Sequence, residues 1–337
     1  MMTLMTDLRR ELRRRGGAAQ VRDLSVSRRE LDRALATGEI VRIGRGAYAL
    51  PDVDHDVRTA VAAGGVLGCV SALRRWQVDV PGDESVVHVS VPRGRGTRAG
   101  AARAAKVRQH YEDADRHPVL PVTTFAAAAA RAALCLPYDS AVATLDRALH
   151  QRPDAVRDEV FAMVRRTSPS RARAFAVDVD PSSRSAVETQ VRLDLRRVGL
   201  AVAPNVSVPG VGEVDLLVDG VLDVEIDGYE FHHLRPQFAA DRRRDRAALR
   251  LGVPTVRFAY EDAGPGVADE VLGVLRALAG KPAPADPRTP TEVLERIADL
   301  RSRCSVPEMR AEGWRHLTGA DLQTAKRRVE ALRSLVR

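Results

Sequence analysis

The sequence predicts a multidomain α+β chain, and three observations carry that expectation. Its 337 residues exceed one typical domain. The first fifty residues repeat apolar positions at helical spacing and then break into two short strands around a glycine-rich turn. Farther on, an amphipathic helical pattern runs into two segments in which apolar and polar residues alternate, as in half-buried strands. The apolar fraction of 45% is sufficient for a sizeable core. These patterns divide the chain at residues 1–54, 55–180, 181–280 and 281–337.

The first division reads as helix, helix, helix, hairpin. "LMTDLRRELRRRGG" repeats leucine at helical spacing and stops at Gly16 and Gly17. "AAQVRDL" reads as a short second helix. "SVSRRELDRALATGEI" opens with Ser27-x-x-Glu30, a capping box, and ends at Gly38. "IVRIGRGAYAL" supplies two strands around Gly-Arg-Gly. This order matches a winged helix-turn-helix, with the third helix as reader and the hairpin as wing. Arg28, Arg29 and Arg33 on that helix, and Arg42 and Arg45 in the hairpin, stand where contacts to a nucleic-acid backbone are needed. The competing reading is a small helical module for protein contacts with solvated arginines.

Charge points the same way. The formal net charge is +8 with a sequence pI near 10.0. Such a balance favours a polyanionic partner, nucleic acid before an anionic membrane surface. Lysine occurs only at Lys106, Lys281 and Lys326, so the positive charge is almost all arginine. Either a GC-rich genome or bidentate phosphate contacts account for that bias. Cys69, Cys135 and Cys304 are scattered and unpaired by spacing, so neither a zinc motif nor a disulfide framework is expected, and a reducing cytosol fits. The most apolar run, "FAAAAARAALCL", is short and broken by Arg131, and the first residues carry charge where a signal peptide needs an apolar core. A cytoplasmic protein without a membrane span is expected.

In residues 55–180, "SVVHVSVPRG" alternates like a strand, and the stretch from Val122 to Gln151 makes two helices split at Pro137. His88, His110 and His117 read as isolated side chains, structural or exposed rather than ligands. "PRGRGTRAG" reads as a basic loop suited to a phosphate contact. In 281–290, "KPAPADPRTP" is a Pro-rich linker, followed by amphipathic helices.

The third division holds the chemistry. "SRSAVETQVRLDLRRVGL" is an amphipathic helix with Glu188 in its first turn. Two strands follow, in which Val214, Leu216 and Val218 share one face, as do Leu222, Val224 and Ile226. A two-residue loop at Asp219-Gly220 would mix apolar with acidic residues on both faces. A connection one residue longer pairs Leu216 with Val224 and Val218 with Leu222. That register makes one clean apolar face and sets Asp215 opposite Glu225, with Asp227 one pleat along. Facing carboxylates repel unless a cation lies between them. A divalent metal on Asp215 and Glu225 would relieve the repulsion, and an all-oxygen set points to Mg²⁺ or Mn²⁺, able to activate water on a phosphodiester. His232 follows closely enough to serve as general base or phosphate ligand, and the basic helix "DRRRDRAALR" suits a nucleic-acid backbone.

Glu188, Asp215, Glu225, Asp227, Gly228, His232, Arg244 and Asp245 carry a resemblance to a domain family related to very-short-patch-repair endonucleases, within the PD-(D/E)XK nuclease superfamily. The resemblance implies a restriction-endonuclease-like fold, metal ligation by Asp215 and Glu225 supported by Glu188, positioning by Asp227, a role for His232 at water or phosphate, and Arg244 toward nucleic acid. The superfamily's usual lysine after the metal-binding acid is Asp227 here; very-short-patch enzymes also lack it and lean on histidine. The N-terminal half resembles AbiEi-type antitoxin-like proteins through "RIGRGAYAL" and "LPVTTFAAAAA". Two principal readings follow: a metal-dependent DNA endonuclease, and an antitoxin-like DNA-binding transcriptional regulator with a non-cleaving nuclease-like domain. A third adds a separate toxin protein as direct partner.

Overall fold

A computed structural model of the chain describes residues 2–94, 106–150, 152–227 and 235–278. The chain forms two compact units, Met1–Ala172 and Arg173–Arg337. The basic loop at 95–105, the segment 228–234 with Gly228, His232 and His233, and residues 281–337 lie outside the described residues.

The first unit begins with α1 (Met2–Arg14), β1 (Ala18–Gln20), a 3₁₀ turn (Val21–Asp23), α2 (Arg28–Ala36), β2 (Val41–Gly44) and β3 (Ala47–Ala49). Leu8, Leu12, Ala19, Leu24, Leu31, Ala34, Ile40 and Leu50 form the apolar cluster of this opening segment. Helix α1 stops at Gly16 and Gly17, as expected. Gly17 adopts φ +92 and its amide returns to the Leu12 carbonyl at 2.7 Å, while an added Cβ would stand 2.7 Å from Val53 Cγ2. The capping box on α2 is present in both directions.

One expected element is different. "AAQVRDL" is a strand with a 3₁₀ turn, not a helix. Seven residues nucleate a helix poorly, whereas the hairpin offers an unpaired edge. β1 takes that edge, pairing antiparallel with β3 in a sheet of order β1-β3-β2. Buried Gln20 then donates from Nε2 to the Val61 carbonyl at 2.6 Å. The candidate reader is therefore the second α-helix of the chain.

The unit continues with α3 (His55–Ala62), β4 (Val66–Leu67), α4 (Cys69–Arg75), β5 (Val86–Val91), β6 (Lys106–Tyr111), α5 (Phe125–Cys135), α6 (Tyr138–Leu149), α7 (Asp154–Thr167) and α8 (Pro169–Asp178), within which the division falls. Helix α3 packs against both β-sheets of this unit. The second sheet has the order β4-β5-β6, with β5 and β6 parallel. Buried alanines along α5 let it approach α4 and α7, and Pro137 separates it from α6 as expected.

A second correction concerns the histidines. His88 Nδ1 lies 3.1 Å from His110 Nε2, so these two are not isolated. Parallel pairing of β5 with β6 sets Ser90 beside His110, which puts both imidazoles on one sheet face. His117 is structural: its Nδ1 accepts from the amides of Val119 and Leu120.

The second unit comprises α9 (Ala186–Arg197), β7 (Val202–Val208), β8 (Gly212–Val218), β9 (Leu222–Asp227), α10 (Arg235–Arg250), β10 (Thr255–Ala259) and α11 (Val267–Leu278). Its sheet has the order β10-β9-β8-β7, antiparallel except for the β9–β10 pair. One face packs Leu216, Val218, Leu222 and Val224 against Val191 and Leu195 of α9 and Val271 and Leu275 of α11. The other packs Ala203, Val206 and Leu217 with Ala248 of α10.

The hairpin register is the expected one: Leu216 pairs with Val224 and Val218 with Leu222, with three residues between the strands. Asp219 (φ +51) and Gly220 (φ +73) both adopt left-handed backbone, which suits Asp-Gly at a tight turn. Val214 departs from the expected pattern and joins the second cluster instead of Leu216 and Val218. On the neighbouring strand Asn205 takes φ +50 between the Pro204–Leu216 and Val206–Val214 pairs, so the pleat is broken at that level.

Candidate functional site: acids on β8 and β9 and a basic N-terminal module

The β8–β9 pairing ends at Leu216–Val224, and just beyond it Asp215 lies near enough for its charge to act on Glu225. Asp215 Oδ2 accepts from the Ile226 amide at 3.0 Å. Burial raises the pKa of Asp215, and Arg244 and the Ile226 amide work against that rise. Glu188 sits in the first turn of α9, where its amide donates to Ser185 Oγ at 3.0 Å and its Oε2 accepts from the Arg184 amide at 2.8 Å. It thus closes the start of the helix. Burial raises its pKa, and the charge of Asp215 adds to the rise.

Glu225 is buried, and each of its oxygens meets a guanidinium. Oε1 accepts from Arg244 at 2.8 Å, and Oε2 is ion-paired with Arg257. Burial pushes its pKa up, while the two arginines pull it down. Arg257 also reaches Asp227 at 3.3 Å and Asp245 at 2.7 Å. Arg244, expected at a nucleic-acid backbone, donates as well to the Glu213 carbonyl. Two arginines of this chain thus offset acidic charge here, both at Glu225 and one of them, Arg244, also at Asp215. An ion on Glu225 would have to share that carboxylate with Arg244 and Arg257.

One residue of this group, Arg257, was missed in the sequence, and Asp223, visible there as an acid alternating with Glu225 and Asp227, was given no role. Asp223 belongs to the same alternation of acids; it is buried, its Oδ2 accepts from Thr255 Oγ1 at 2.9 Å, and burial beside Glu225 pushes its pKa up to about 8. Arg257 was hidden in "VPTVRF", where a lone arginine in a strand gives no sign of its partner.

The other candidate surface lies on the first unit. Leu31 and Ala34 turn one side of α2 into the core, leaving Arg28 and Arg29 exposed and Arg33 half-buried in the last turn. Arg42 and Arg45 are exposed on the hairpin, and Arg42 Nε donates to the Gly44 carbonyl at 3.4 Å.

Residues 7–51 match the family described as transcriptional regulator, AbiEi antitoxin. The AbiEi-like segment runs from within α1 to just beyond β3, so it contains all five of these arginines and none of the acids on β8 and β9. No curated protein matches the chain. Among the described residues, no helix is long and apolar enough to cross a membrane.

Proposed function

We propose that this chain is a DNA-binding transcriptional regulator of antitoxin type. Its AbiEi-like segment acts as a winged helix-turn-helix, with α2 entering the major groove and the β2–β3 hairpin contacting the flanking backbone. The observation that carries this reading is the coincidence of the family match with the module that displays Arg28, Arg29, Arg42 and Arg45. The net charge of +8 supports it. In this reading the second unit is a nuclease-like body that does not cut, and a separate toxin protein is the partner that the family implies.

A second reading, metal-dependent cleavage in a restriction-endonuclease-like unit, draws on the nearness of Asp215 to Glu225 and on the element order helix, three antiparallel strands, helix, parallel strand. Mg²⁺ or Mn²⁺ would then lie on Asp215 and Glu225, with Glu188, Asp227 and His232 as the other site residues. It ranks second because Glu225 is already held on both oxygens.

The test is to incubate the full-length protein with labelled duplex DNA and with supercoiled plasmid, with and without Mg²⁺ or Mn²⁺. Salt-sensitive duplex binding without nicking is expected. Nicking that disappears in Glu225→Gln would establish the second reading instead.

A further inference from the structure

We propose that Cys69, His88, His110 and Cys135 form a Zn²⁺ site in the first unit. Their ligand atoms all lie within 4.8 Å of one another. His88 Nδ1 is 3.1 Å from His110 Nε2 and 4.0 Å from Cys135 Sγ. A tetrahedral zinc with ordinary Zn–N and Zn–S bonds separates its ligand atoms by about 3.3–3.8 Å. The group therefore needs only small side-chain shifts to close on an ion.

The four residues come from four elements. Cys69 opens α4, His88 lies within β5, His110 lies on β6, and Cys135 ends α5. Cys69 is fully buried and holds a left-handed backbone, φ +51, a conformation that costs a residue with a Cβ about 1 kcal/mol or more. The Gly68 amide, donating to the His88 carbonyl at 3.0 Å, pins that turn to the strand bearing the first histidine. The first turn of the same helix is tied to this strand as well, the His88 amide donating to Ser71 Oγ at 2.9 Å.

Chemistry selects the ion. Two thiolates and two neutral imidazoles balance a 2+ charge and fill a tetrahedron, which is the composition of a closed structural zinc site. Hard cations such as Mg²⁺ and Ca²⁺ prefer all-oxygen sets. Arg108 Nη1 lies 3.9 Å from Cys135 Sγ, a position that favours a thiolate there. Both cysteines are free thiols. A bound ion would staple α4 and α5 to the β5–β6 pair, so metal binding would add directly to the stability of this unit. This site is independent of DNA binding and of the acids on β8 and β9.

The test is elemental analysis of the full-length protein purified under reducing conditions, with about one zinc per chain expected. His110→Ala and Cys135→Ser should each lower the zinc content about tenfold or more, while His117→Ala, outside the cluster, should leave it unchanged. Because those variants could misfold, the wild-type protein is also stripped with a chelator and titrated with Co²⁺. A 1:1 uptake with the visible bands of tetrahedral thiolate cobalt, displaced by Zn²⁺, is expected. Folded, reduced wild-type protein that carries no zinc and gives no such bands would overturn the proposal, as would a Cys69–Cys135 disulfide in the protein from reducing cytosol.

Discussion

Arg257 and Glu225 are register partners across the parallel β9–β10 ladder and form an ion pair there. The same guanidinium reaches Asp227 and Asp245, so one cation of β10 gathers acids from β9 and α10. Arg257 thereby offsets the charge that Glu225 and Asp227 place on β9.

Arg257→Gln should therefore destabilise the second unit by about 1–3 kcal/mol, because it strands one oxygen of Glu225 while Arg244 still holds the other. Urea unfolding would measure this. The double variant Arg257→Gln with Glu225→Gln should lose less than the sum of the two single losses, since the stranded charge is gone. Strict additivity would show that the pair does not couple.

Asp223 sets a pH dependence. Its carboxyl is protonated in the folded chain up to about pH 8, whereas the unfolded chain ionises it from about pH 4 upward. The folded state therefore binds the extra proton throughout that interval. Stability from this group is fully present below the unfolded value, declines as pH rises toward about 8, and is flat above it. Asp223→Asn should flatten that decline and stabilise the protein at pH 8. Thermal melts of both proteins from pH 5 to pH 9 test this; parallel curves would mean that Asp223 titrates normally.

The hairpin was legible because only one register lines up its apolar residues, and Asp219-Gly220 supplied the turn to close it. The expectation that Asp215 faces Glu225 extended that register one step past its last observed pair, Leu216–Val224. Arg257 was not legible, because the crossover through α10 sets the offset of β10 against β9 and no local pattern reveals it. The Cys69, His88, His110 and Cys135 cluster was invisible for the same reason: its members are far apart in sequence and meet only where α4, α5 and the parallel β5–β6 pair come together. β1 was misread because seven residues carry too little periodicity, and a sheet edge formed later in the chain decided its state. Val214 was misassigned because the pleat breaks at Asn205 on the neighbouring strand.

Ser27 caps the helix proposed to enter the DNA groove, accepting from the Glu30 amide while Glu30 accepts in return. Ser27→Ala should cost about 1 kcal/mol. Duplex binding should weaken along with it, because α2 would fray at the end that bears Arg28 and Arg29. Equilibrium unfolding and fluorescence anisotropy on the same samples check both effects; lower stability with unchanged DNA affinity would detach α2 from recognition.

DNA binding by the AbiEi-like segment through α2 is tested most directly by duplex affinity. Fluorescence anisotropy across a salt series would measure it for the full-length protein and for Arg28→Ala, Arg29→Ala and Arg33→Ala combined. Each arginine that neutralises a phosphate contributes about one unit to the slope of log affinity against log salt. The triple variant should bind more weakly, with its slope shallower by about two to three units. Wild-type affinity and slope in the triple variant would refute DNA recognition by α2.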